Sequence, residues 1–233
     1  MIQVHISEQV AHLCSNLHLF VIECDVKNTA SDEMLWKEID KETEYVRATM
    51  KLDEISHWNP IHANRLAYKA LGKDPNRYRP SAEALRRRIL RELPLYKIDT
   101  LVDIINLVSI RSGYSIGGFD VNKISGKNLT LGVGQEGEVY HGIGRGILNI
   151  SGLPVYRDEI GGIGTPTSDE ERTKIDMDTN RLLMIINGYS GLEGLNEAGT
   201  FAIELLKRYV KAENLNAKVY DAANKVEEIL LSC

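Results

Sequence analysis

Six arginines, Arg77, Arg79, Arg86, Arg87, Arg88 and Arg91, fall within fifteen residues and are opposed there only by Glu83. The segment carries a local charge of +5 in a chain whose net charge is -5. The guanidinium fork pairs with phosphate and stacks on bases, so one reading is an RNA-contact patch with Arg77, Arg79, Arg86, Arg87 and Arg88 as its contacts. The other is a solvated helix face balanced by acids elsewhere on the surface. A few residues on, Asp103, Asn106 and Ser109 step by three along an otherwise apolar stretch. A buried carboxylate is costly unless hydrogen-bonded or paired. This stripe therefore either organises neighbouring backbone or lines a pocket.

Other chemistry is weakly signalled. Gly132-Val-Gly134-Gln-Glu-Gly137 has the letters of a dinucleotide-binding loop. That loop needs a helix to begin at its third glycine, and Glu138-Val139-Tyr140-His141-Gly142 reads instead as strand and turn. The kinase version needs a nearby strand lysine, but none occurs between Lys127 and Lys174. No histidine pair has metal-ligand spacing, and no serine sits in a nucleophile elbow. We expect no metal and no cofactor. His141 lies in a glycine-rich turn, where structural and pocket-lining roles are both open.

These residues need elements to hold them. Residues 1–27 read as strand, short helix, strand, the last, Leu17–Val26, ending in the alternation Ile22-Glu23-Cys24-Asp25-Val26. Helical spacing runs through 31–73, is interrupted at Asn59-Pro60, and returns at 82–92 through Ala82, Leu85 and Ile89. Thr100 and Asp103 have capping-box spacing at the head of a buried helix, 101–111. Glycine-punctuated strands follow to about residue 190, and two amphipathic helices, 196–211 and 216–231, close the chain. The fold expected is α+β, a mixed β-sheet core with flanking helices, in one domain over residues 1–233.

Composition narrows the class. A chain of 233 residues, 43% hydrophobic and 26% charged, can bury a core without staples. Its charge balance excludes a broadly basic duplex-DNA binder. Three cysteines, Cys14, Cys24 and Cys233, without a C-x-x-C pair, fit a reducing cytoplasm better than a disulfide framework. No secretory signal or membrane-length apolar run is read.

Residues 102–120 carry a resemblance. Val102-Asp103-x-x-Asn106, Gly113, Ser115, Gly117 and Phe119-Asp120 follow the spacing of a signature, V-D-x-x-N then G-x-P-x-H-x-F-D, in the tRNA-editing domain of the phenylalanyl-tRNA synthetase beta chain. The likeness extends over about 77–190, through Glu136-Gly137-Glu138, Gly144, Gly161-Gly162 and the Thr179 region. It implies the fold of that paired third and fourth B module and an aminoacyl-tRNA deacylase, here as a stand-alone protein without an aminoacylating domain. It also implies Asn106, Asp120, Glu138, His141 and Thr179 as pocket candidates, with tRNA and an amino-acid-like group as partners. Gly117 stands where the family has histidine and Ser115 where it has proline. The stretch Leu182–Ile186, where a family glutamate is expected, has no acid. The alternative is a tRNA- or small-molecule-binding module that keeps the pocket without hydrolysis.

Overall fold

The computed structural model describes residues 1–230. Strand β1 (Gln3–Ile6), helix α1 (Glu8–Leu13) and strand β2 (His18–Asp25) open the chain in the expected order. Four helices follow: α2 (Glu33–Thr49), α3 (Asn59–Ala70), α4 (Ser81–Leu90) and α5 (Thr100–Ser112). Pro60 sits in the first turn of α3, where its missing N–H costs nothing. The glycine-rich stretch then forms β3 (Ile116–Asp120), β4 (Asn128–Val133), the hairpin β5 (His141–Gly142) and β6 (Gly146–Ile147), β7 (Pro154–Arg157), β8 (Gly162–Gly164) and β9 (Arg181–Gly188). Helix α6 (Leu195–Val210) precedes β10 (Glu213–Asp221) and β11 (Val226–Glu228).

The strands form an antiparallel five-stranded sheet, β11-β10-β2-β9-β3, and a mixed four-stranded sheet, β1-β4-β7-β8, in which β1 and β4 run parallel. The period-two geometry of β2 explains how they stack. Its Phe20, Ile22 and Cys24 face a core shared with α2, α5 and α6, whereas Leu19 and Val21 face a core shared with β1, β4 and β7. Strand β2 is thus buried on both faces, which requires its nearly continuous apolar run. The fold is α+β, a mixed-sheet core flanked by helices.

Two expectations are corrected. The segment 216–231 is not a helix: its described part pairs as β10 with β2 and as β11 with β10, while Leu231 and Cys233 lie outside the described residues. Alanine, lysine and glutamate favour helix by only a few tenths of a kcal/mol each, whereas burying a large apolar side chain contributes about 1.5–3 kcal/mol. Ala217, Val219 and Tyr220 are all buried in the pairing with β2, so packing wins. At the head of α5 the cap is Asp99, whose carboxylate accepts from the Val102 N–H at 2.9 Å, in place of Thr100. The Thr100 hydroxyl donates to the Ala30 carbonyl, tying α5 to the chain before α2.

Candidate functional site

Helix α4 sorts its side chains by face. Ala82, Glu83, Arg86 and Ile89 are buried against the body, leaving Ala84, Arg87, Arg88 and, just past the helix, Arg91 on the side of a cleft. Glu83 is fully buried and gathers arginines around it: Arg65 at 2.9 Å, Arg87 at 2.8 Å and Arg79 at 3.9 Å. A buried carboxylate needs such partners. In meeting that need, Glu83 fixes where Arg79 and Arg87 stand.

The cleft has two adjoining parts. The outer part, about 450 Å³, is lined by Arg77, Arg79, Arg87, Arg88, Arg91 and, from the β5–β6 hairpin, Arg145. The inner part, about 370 Å³, lies between α5, the edge strand β3 and residues 165–175. Ser81, Leu85 and Asn106 line both, so the two parts adjoin across these side chains. Arg86 is the exception within its cluster. It is only 4% exposed, its guanidinium stacks 3.7 Å from the Trp58 ring, and it donates to the Ile110 and Arg111 carbonyls at the end of α5. Burial lowers its pKa to about 10. Arg86 caps a helix end and has no surface left for a phosphate, which corrects its place among the RNA contacts.

Along α5 the polar stripe divides. Asp103 is fully buried and accepts from the Trp36 indole N–H at 2.6 Å, away from the cleft. Ser109 lines the inner cleft but spends its hydroxyl on the Tyr114 carbonyl at 2.8 Å. Asn106 lines both parts and makes no side-chain hydrogen bond among the described residues, so its amide faces the space free. Ile98, Val102, Ile105, Ile116, Ile143 and Ile175 give the inner part aliphatic walls.

Asp169 is the residue that spacing did not reveal. It stands in the inner cleft, accepts from the Gly118 N–H at 3.1 Å, and has no cation paired with it among the described residues. Burial pushes its carboxyl up to about 7, against the weaker opposing pull of the Gly118 N–H. It lies five residues beyond a glycine, Gly164, at which a Cβ would come within 2.8 Å of its Oδ1 and 2.5 Å of the Phe119 ring. A Cβ at Gly117 would come within 2.7 Å of the same ring. Phe119 thus occupies the space that a side chain at 117, histidine included, would need. The cleft keeps a carboxylate although the 182–186 stretch has none.

The remaining pocket candidates stand outside the cleft lining. Asp120 and Thr179 do meet, the Thr179 hydroxyl donating to Asp120 at 3.0 Å, but at the far end of β3, where Asp120 also caps the turn at Asn122 and pairs with Lys123. Glu138 is bound by Arg157 at 2.6 Å; burial alone would raise its carboxyl, and the Arg157 hydrogen bonds outweigh that and hold it low. His141 is exposed on β5, two residues before Ile143, which does line the inner part. Geometry therefore assembles Asn106, Asp169 and the exposed arginines, and separates them from Asp120, Glu138, His141 and Thr179.

Comparison with known proteins places this architecture. Residues 63–230 match the family model described as B3/4 domain, and the chain belongs to that family. Its signature residues resemble those of the tRNA-editing domain of the phenylalanyl-tRNA synthetase beta chain. Sixteen solved chains match this chain. One is an N-terminal fragment of the phenylalanyl-tRNA synthetase beta-subunit from Pyrococcus horikoshii, with 11% identity and a TM-score of 0.46 over 93% of this chain. The chain spans about half, 51%, of that fragment. No curated protein matches it in sequence. Among the described residues, no helix is long and apolar enough to cross a membrane.

Proposed function

We propose that the chain acts as a single editing-type domain in the cytoplasm, binding the end of an aminoacyl-tRNA and hydrolysing its ester. The observation that carries this reading is the adjacency of the two parts of the cleft, which share Ser81, Leu85 and Asn106. Arginines line the outer part, suited to phosphates, and the adjoining inner part, across Asn106, holds a carboxyl poised near neutral pH. An acid whose pKa lies near the working pH is well matched to general-base catalysis. Asp169 takes a proton from a water, and the resulting hydroxide adds to the ester carbonyl. The tetrahedral adduct then expels the ribose hydroxyl, which receives the proton back from Asp169. The free amide of Asn106 supplies a donor for the oxyanion that develops. The aliphatic walls receive the amino-acid side chain.

To test this, the protein is incubated with a panel of mischarged tRNAs and ester loss is followed. The expected result is acceleration with at least one of them, lost in D169A. No acceleration with any substrate overturns the hydrolase. Saturable tRNA binding without turnover would leave a binding module in its place.

A further inference from the structure

Tyr96 lies in the outer cleft with its side chain largely solvent-facing, 65% exposed, next to the half-exposed Leu93. The Arg88 guanidinium sits 4.2 Å from its ring centroid. Arg88 is itself held, donating through Nε to the Pro94 carbonyl at 2.5 Å. A large aromatic ring is thus braced on one side by an anchored cation and left open to the cleft. Around it, Arg77, Arg88, Arg91 and Arg145 make no ion pair among the described residues; the pairs of this region run to Glu83 from Arg65, Arg79 and Arg87. Unpaired arginines call for an anion, and a braced, exposed ring beside them calls for a second flat group.

We infer that Tyr96 is the stacking platform for an unpaired nucleobase whose flanking phosphates lie on the arginines of the outer cleft. The inference rests on the reading of that cleft as a nucleic-acid site. An aromatic face stacks any base, and an arginine behind it adds a cation–π contribution. A base inside a duplex has both faces covered, so the ligand is a single-stranded end. An acidic peptide would satisfy the arginines and leave the ring unused.

The test uses a short single-stranded RNA with 2-aminopurine as its 3′-terminal base, titrated into the full chain. Wild type should quench the fluorophore on binding. Y96A should bind about tenfold more weakly, as expected for loss of one base–aromatic stack. Its salt dependence should stay unchanged, because no charge has been removed. Y96F should bind as wild type does. R88A should lower the salt slope by about one, as for one phosphate contact. Tyr96 is exposed, so equal melting temperatures confirm that the variants fold. Y96A binding as tightly as wild type overturns the platform while leaving the hydrolase reading intact. Normal stacking without ester hydrolysis does the reverse. A wild-type protein that binds no single strand, or that binds a polyglutamate of equal charge as tightly as the RNA, overturns the platform too.

Discussion

At Asp169 the protein keeps a carboxyl in surroundings that disfavour its charge, and this has a thermodynamic signature. At about pH 3 and below the group is protonated in both folded and unfolded chains, since its ordinary value is 3.8. Between there and about 7 the unfolded chain ionises freely while the folded one holds its proton, so stability falls as pH rises. D169N keeps an acceptor for the Gly118 N–H and removes the charge. It should stabilise the protein by roughly 2 kcal/mol at pH 8, a figure discounted because the side chain partly faces the cleft, and by almost nothing at about pH 3. Urea midpoints at the two pH values check this; an equal gain at both would show that charge is not the cause. For the hydrolase, the rate should rise with pH through about 7 and level off. Gly117 offers a steric counterpart. Its Cβ would meet Phe119 at 2.7 Å, so G117A should cost about 1–3 kcal/mol. F119L in the same chain should restore part of that loss.

Helix α4 turns one face to the protein body and another to the cleft. Breaking a buried ion pair by removing one partner costs about 3–5 kcal/mol. E83A should therefore destabilise the fold by about 3 kcal/mol, measured by chemical denaturation, with E83Q losing less. R86A should likewise lower stability, through the lost contacts to the end of α5, whereas R88A should leave it nearly unchanged. The sequence announced this helix through Ala82, Leu85 and Ile89, and announced its charge through the arginine run. It did not separate Arg86 from its neighbours, because that depends on Trp58, brought alongside by α3's approach. Asp169 was hidden for a related reason: between Ser168 and Glu170 it looks like any loop acid, and only enclosure beside Gly118 distinguishes it. Asn106 was legible because a polar residue on an apolar helix is an exception that local pattern displays. Strand β10 was not, since its composition suits a helix and its partner β2 lies far back in the chain.

For the whole molecule, the uneven charge matters more than its total. A chain at -5 that concentrates exposed arginines around one cleft should bind tRNA weakly at high salt and readily at low salt. Neutralising Arg91 or Arg145, which reach the cleft from different parts of the chain and make no ion pair among the described residues, should each lower the slope of log affinity against log salt by about one. Neutralising Arg208, on α6 and paired with Glu38, should leave that slope unchanged. Filter binding across a salt series measures all three. The sheet arrangement adds a matter of timing. The neighbours of β2 are β9, at 181–188, and β10, at 213–221. At roughly 5–20 residues per second, β2 emerges from the ribosome on the order of ten seconds before either partner exists. During that interval Leu19-Phe20-Val21-Ile22 is an unpaired apolar strand. The chain's exposure to aggregation is therefore greatest while it is being made, and slower synthesis would lengthen it.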